Sequence, residues 1–401
     1  MALSTFEGET VGTVGSMLVR LPARRWAVAM LVYALAGAAC AGGGGPVNGA
    51  AAPTSVVEAA APPAAPSTAR PCQPALLEAR AATVLAVGIH NTTTAEAPVA
   101  ATVAALGVGG VILLGPNVID AAQTRTLIAG LRQRSPRRLL VAVDEEGGRV
   151  SRLRPILGRT PSARTLGQQT VADIAVVAAE RGRVLRNLGF DLVLAPVVDA
   201  DGGPAGGPVG DRAFAITPAE AGPRAAAFAE GLRRAGVAAT AKHFPGVGEL
   251  PDSHDGRVVS NTPLADLRTA ATAGFGPVVD AGVGAVMMSH VTFRAFGPLP
   301  ASLEPAAYRL LRSLSFNGVA ITDAVGMEAG AEQWSLPEAT VLALKAGADL
   351  VLATPGDKAA AMRDAVVAAV ADGRLPEYRL NEAVGRVLML QGEDPAAMVC
   401  R

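Results

Sequence analysis

"VAATAKHFPGVGELPDSHD" occupies residues 237–255. It begins as a short run of Val and Ala that reads as a buried strand ending at Phe244. From Lys242 onward it holds two of the chain's four histidines, three carboxylates and a lysine, interleaved with two prolines and two glycines. Neither a helix nor a central strand tolerates that mixture. The second part therefore reads as a loop rich in groups that move protons, delivered by a buried strand.

Seven further runs have the same character. They are "TVLAVGIH" ending at His90, "GVILLGPN" at Asn117, "LLVAVDEE" at Glu146, "DLVLAPVVD" at Asp199, "GAVMMSH" at His290, "GVAITDA" around Asp323 and "DLVLATP" near Thr354. Each is continuously apolar and not alternating, as expected of strands covered on both faces. Between most of them lie Ala- and Arg-rich segments with helical spacing, such as "VADIAVVAAERGRVLRNLG" and "PAEAGPRAAAFAEGLRRAG", several ending in the glycine that caps a helix C-terminus. Eight strand–helix units predict an α/β fold, a (β/α)8 TIM barrel. A doubly wound open sheet is the alternative, because counting strands does not show closure.

In either fold, chemistry belongs at the C-terminal ends of the strands. There the chain places His90, Asn117, Asp144, Asp199, Lys242, His243, His290 and Asp323, and all four histidines lie at or just after a strand end. In "VDEEGGRVSRL", Asp144 sits at a strand mouth, Gly147 and Gly148 permit a tight turn, and Arg149 and Arg152 are expected to point back to the same region. On spacing alone, that group reads equally as a salt-bridge network or as a binding site.

The chain's 401 residues carry 35 basic and 35 acidic side chains. That balance offers no basic face for a nucleic acid. Half the residues are hydrophobic but only 3% are aromatic. The N-terminal part differs from the rest. Arg24 and Arg25 precede an apolar run over residues 26–39 and then Cys40. The run is short for a membrane span, which needs roughly 20 residues, and fits a signal peptide over residues 1–40. Its "GAAC" end resembles a bacterial lipoprotein signal, which implies lipidation of Cys40, although Gly37 stands where leucine is usual. Glu7 and Glu9 are unusual for a signal start, and Met17 offers a second start. Residues 41–71, mostly Ala, Gly, Pro and Ser, are expected to form a flexible tether, leaving residues 72–401 as the folded domain. With Cys40 lipidated, Cys72 and Cys400 flank that domain; in an oxidising compartment they can pair or remain as two free thiols.

Five motifs, "DEEGGRVSR", "GDRAF", "KHFPGVG", "DSH" and "TDAVGM", together with the C-terminal "ADGRLPEYRLNEAVGRVLMLQG", resemble the β-N-acetylhexosaminidases of glycoside hydrolase family 3. The resemblance covers residues 72–391. It implies a retaining exo-β-N-acetylglucosaminidase acting on peptidoglycan fragments, with Asp323 as nucleophile, His254 as general acid/base and Asp252 orienting its ring. It also implies a sugar clamp of Asp144, Arg152, Arg212, Lys242 and His243, and neither metal nor other cofactor. Val247 departs from the family, which usually has His there, as does Ala324, where a second acidic residue often follows the nucleophile. With 78 residues after Asp323, the acid/base is expected from the barrel and not from a second domain. The expected protein is exported, monomeric and anchored to the membrane through lipid, or else secreted. Two other readings stand beside this one: a phosphorylase using phosphate as acceptor, and a sugar-binding lipoprotein without turnover.

Overall fold

Eight parallel strands carry the fold: β1 (Leu85–Gly88), β2 (Gly110–Leu113), β3 (Leu140–Val143), β6 (Leu192–Val193), β7 (Ala238–Phe244), β9 (Ala285–Met288), β11 (Val319–Thr322) and β12 (Val351–Ala353). They are ordered β11-β9-β7-β6-β3-β2-β1-β12 in one sheet. A parallel bridge between Ile321 and Leu350 joins the two ends, and the Val325 N–H donates to the Leu352 carbonyl at 2.9 Å across the same seam. The ring is therefore closed, a (β/α)8 barrel and not an open sheet. Two small ribbons decorate it: β4 (Glu145–Gly147) with β5 (Val150–Ser151), and β8 (Val259–Ser260) with β10 (Thr292–Phe293). This is a computed structural model that describes residues 74–253, 255–326 and 333–400. The chain divides into two units, Met1–Thr68 and Ala69–Arg401, and all described residues belong to the second.

Continuous apolar strands are required because both strand faces are buried. Leu85, Val87, Val111, Leu113, Val141 and Val143 face outward into the layer shared with the helices. Their neighbours Ala86, Ile112 and Ala142 join Leu192, Leu194, Met287, Ile321 and Leu352 in the barrel interior. Each fully buried Leu, Ile or Val contributes about 1.5–3 kcal/mol relative to an exposed one. The interior is plugged at its lower end by helix Glu377–Gln391, whose Val387 and Leu390 pack into it. Gln391 Nε2 donates to the carbonyls of Gly109 and Arg138, both at 3.0 Å.

The helices begin and end where their sequences indicate. Thr170 caps helix Val171–Leu188 by accepting from the Asp173 N–H, and Gly189 ends it with φ 103°, a conformation only glycine adopts cheaply. The turn then feeds β6 directly. The strand read from the sequence as ending at Phe244 does end there, but the loop does not start at Lys242. β7 runs through Lys242 and His243 to Phe244, so the loop begins at Pro245. The polar residues are tolerated in a central strand because each is paired inside the barrel, which removes most of the cost of burying them.

Cys400 is half of a disulfide bond. Cys72, the partner expected from the sequence, lies outside the described residues, as do Cys40, the signal segment and the tether.

Below the barrel, Asp349 is fully buried among three guanidinium groups, Arg312 at 2.5 Å, Arg379 at 2.8 Å and Arg386 at 3.1 Å, and also accepts the Ala320 N–H at 2.9 Å. It ties the start of β12 to β11, helix Pro305–Ser313 and the closing helix. Asp349→Asn removes the buried counter-charge of all three cations and leaves Arg379 and Arg386 only the partly exposed Glu382, so unfolding free energy should fall by about 3–5 kcal/mol. In a thermal melt that corresponds to roughly 5–15 °C in Tm; an unchanged melt would remove this cluster from the account of how the barrel closes.

Candidate active site

The upper mouth of the barrel collects charge. Lys242 is 3% exposed, and its Nζ lies 2.7 Å from Asp144 Oδ1 and 2.6 Å from Glu146 Oε1. Glu146, also buried, takes a bidentate pair from Arg212, Nε at 2.7 Å and Nη2 at 2.9 Å. Arg152 Nη2 reaches Asp144 Oδ2 at 3.3 Å. Burial opposes the charge of Lys242, but the Asp144 and Glu146 carboxylates outweigh it and raise its pKa above the ordinary lysine value. Burial likewise opposes ionisation of Glu146, and Lys242 and Arg212 overcome it, holding that carboxyl down at about 2. The pKa of Arg212 moves upward for the matching reason, Glu146 outweighing desolvation. Glu146, Lys242 and Arg212 are therefore ionised at neutral pH.

The turn that presents Asp144 is itself anchored. Glu145 Oε2 accepts from Ser151 Oγ at 2.9 Å and from the Leu153 N–H at 3.0 Å, with burial raising its pKa. Gly147 and Gly148 have φ values of 92° and 58°, so the chain can fold back tightly. Arg149 does not point into the mouth as the sequence suggested. Its guanidinium donates to the carbonyls of Ala205, Gly207, Pro208 and Val209 and pairs with Asp211 at 3.2 Å. The carbonyls of that loop draw it outward, and it secures the segment that carries Arg212.

His243 is held by Asp199, 1% exposed. Asp199 Oδ2 accepts from His243 Nδ1 at 2.7 Å and from its backbone N–H at 3.1 Å, while Oδ1 accepts the Val247 N–H at 2.8 Å. One carboxylate thus sets both the imidazole and the first turn of the loop. The Lys242–His243 and Phe244–Pro245 peptide bonds flanking it are cis. The side chain of Val247 packs with Val197, Val209 and Ala213, an apolar setting that suits valine where the family usually has histidine.

Asp323 stands at the end of β11. Its Oδ1 accepts the Ala324 N–H at 2.8 Å, and its own N–H donates to the Met288 carbonyl at 3.0 Å. His290 holds the next residue: its Nε2 donates to the Ala324 carbonyl at 2.8 Å, and Ser302 Oγ lies 2.6 Å from Nδ1. Ala324 packs into the barrel interior, where a carboxylate would be buried against apolar side chains. Asp323, His243, Arg212 and Asp252 line one cavity of about 30 Å³, roofed by residues 250–253. Carboxylate acceptors and cationic donors facing each other in this way match the hydroxyls of a sugar ring, and Asp323 supplies a carboxylate able to attack carbon.

The strand-end residues therefore separate by role. Lys242, Asp144 and Arg152 form one connected network with Arg212, and His243 lines the same cavity. Asn117 is structural, bridging the carbonyls of Ile89 and Thr92 to the Leu114 N–H. His90 is exposed at the end of β1 and does not line the cavity. His254 lies outside the described residues. Glu146 and the orienting role of Asp199 were missed. Alternation along β4 held the clue for Glu146, since residues two apart on a strand share a face, which puts it beside Asp144.

Glu146→Gln should lower stability at pH 7 by about 3–5 kcal/mol, because Lys242 and Arg212 lose their shared counter-charge. A depressed carboxyl pKa stabilises the fold above the unfolded value of 4.5 and loses that contribution as pH falls towards about 2. The difference between the two proteins in urea melts should accordingly shrink between those pH values. A gap that stays constant through this range would refute the ion-pair assignment.

Comparison with known proteins agrees with this geometry. Residues 76–390 match the model described as the glycosyl hydrolase family 3 N terminal domain. The beta-hexosaminidase LpqI of Mycobacterium tuberculosis is 38% identical over 339 residues, covering 80% of this chain and 85% of that protein. Among solved structures, a family 3 glycosyl hydrolase from Mycobacterium smegmatis superposes with TM-score 0.72 at 34% identity, covering 78% of this chain and 96% of its own. The beta-N-acetylhexosaminidase of Beutenbergia cavernae does so with TM-score 0.71 at 31% identity, covering 79% and 98%. The barrel, its charged mouth and these likenesses place the chain in glycosyl hydrolase family 3, as a glycoside hydrolase built on the N-terminal domain of that family.

Proposed function

We propose that this chain is a retaining exo-β-N-acetylglucosaminidase that removes non-reducing-end N-acetylglucosamine, with peptidoglycan fragments as its substrates. The observation that carries the reading is that one cavity is lined by the Asp323 carboxylate and by Arg212, which Glu146 ties to Lys242 and, through it, to Asp144. The similarity to proteins named beta-hexosaminidase and beta-N-acetylhexosaminidase supports the sugar.

In this mechanism Asp144, Lys242, Arg152, Arg212 and His243 hold the terminal sugar. Asp323 attacks C1 from the face opposite the leaving group while His254, oriented by Asp252, gives a proton to the departing glycosidic oxygen. The C1–O bond breaks, an alcohol leaves and a glycosyl ester on Asp323 remains. His254 then takes a proton from water, the resulting hydroxide attacks C1, and the ester bond breaks with the original configuration restored. Imidazole suits both steps near neutral pH, with its reference pKa of about 6.5.

The reading extends to location. A disulfide at Cys400 is expected to persist only in an oxidising compartment, in keeping with an exported protein that pairs Cys72 with Cys400 and carries lipid on Cys40. Wall fragments are then the N-acetylglucosamine source it meets.

A chromogenic β-N-acetylglucosaminide should turn over faster than the matching β-glucoside, with free sugar and not sugar phosphate as product in phosphate buffer. Faster glucoside turnover would overturn the substrate assignment. Asp323→Asn, which keeps shape but loses the attacking charge, should lower kcat by about 1,000-fold or more with folding intact. His254→Ala should impair substrates with poor leaving groups far more than activated aryl glycosides; equal losses on both would exclude it as the general acid.

A further inference from the structure

We propose that Ser289 is a further substrate-contacting residue of this site, its hydroxyl bonding a polar substituent of the sugar ring that flanks the anomeric carbon. The proposal rests on the glycosidase reading above and adds a residue to it. Ser289 directly follows β9, on which Ala285 and Met287 face the barrel interior. Alternation places Ser289 on that same inner side, one level higher. On the adjoining strand Val319 and Ile321 face inward, and Asp323 comes next. The register pairs Met288 with Thr322, so Ser289 and Asp323 are the following positions, side by side. Both line the same cavity.

The state of the hydroxyl carries the argument. Ser289 is 2% exposed, and its Oγ has no hydrogen-bond partner. Its backbone is satisfied, the N–H by Phe244 and the carbonyl by the Ser302 N–H. Buried hydroxyls are normally bonded, and an orphan destabilises the fold. A hydroxyl left unpaired at a site wall, next to the reacting carboxylate, is explained if a ligand completes it. Thr240 and Thr292 also have orphan hydroxyls, but neither lines this cavity, so they receive no such role.

The ligand chemistry follows from position. With Asp323 on C1, a neighbouring strand about 4.8 Å away sets Ser289 beside the ring atoms next to C1. Two polar groups occur there: the acetamido group on C2, and the hydroxymethyl group on C5 across the ring oxygen. The cavity of about 30 Å³ is too small for a hexosamine, so the roof at residues 250–253 has to move aside when sugar enters. Ser289 belongs to the barrel floor and remains where it is.

The test is Ser289→Ala in the full chain, measured with a chromogenic β-N-acetylglucosaminide and with its 2-deoxy and 6-deoxy analogues. Loss of one hydrogen bond predicts about a tenfold fall in kcat/KM on the parent glycoside. That fall should vanish on whichever analogue lacks the contacted group, which tells the acetamido group from the hydroxymethyl group. Because the hydroxyl is unpaired in the free protein, Tm should stay level or rise. The proposal is overturned if kcat/KM is unchanged, if the loss persists on both analogues, or if it comes with a fall in Tm. A wild-type protein that cleaves no β-N-acetylglucosaminide overturns the parent reading and this one with it; an active wild type matched by Ser289→Ala overturns this one alone.

Discussion

A lysine ammonium sealed inside a barrel is the constraint around which the site is arranged. Moving a charge out of water costs several kcal/mol unless it is paired with good geometry. Lys242 meets this requirement with two carboxylates at 2.7 and 2.6 Å. Because Asp144 and Glu146 lie two residues apart on one extended segment, both can reach it. Glu146 then needs a second cation and takes Arg212 from a distant loop. The chain of requirements draws β7, the turn after β3 and the Arg212 segment into one rigid wall. Asp144 shares its oxygens with Lys242 and Arg152 while remaining partly exposed, which leaves it able to receive a ligand.

The wall that carries Asp323 is braced by backbone groups and a histidine. Asp323 is braced by the amide of Ala324, and His290 fixes the carbonyl of that same residue. Fixing the Asp323 carboxylate from the backbone, with a histidine bracing the following residue, suits a group proposed to act as a nucleophile. Rigid strand ends on both walls satisfy the need to hold reacting groups in place without loss of order at the moment of reaction.

Between the walls hangs the segment after β7, tied at its base by Asp199, which grips both the His243 ring and the Val247 amide. Gly246 and Gly248 have φ values of 117° and 55°, so the path of this segment depends on residues without a side-chain penalty. The base is fixed while the stretch over the cavity is a roof of few residues, an arrangement that permits the opening a sugar requires.

Strand positions, helix ends and the concentration of polar residues at one barrel end were legible in the sequence because they depend on local pattern: apolar runs covered on both faces, capping residues, and glycines at sharp turns. The motifs likewise named the chain's family, since each is a contiguous string. Closure was not legible, because the bond pattern joining Ile321 to Leu350 depends on how eight twisted strands add up. The histidines show the same limit. His90, His243 and His290 all lie at or just after strand ends, yet one is exposed, one lines the cavity and one props the turn after Asp323. What separates them is the partner each meets. Lys242 and Asp144 are 98 positions apart, and no local pattern states that they touch. Pairing across such distances, together with the unpaired hydroxyl of Ser289, was decided only when the barrel brought strand ends together and shut water out.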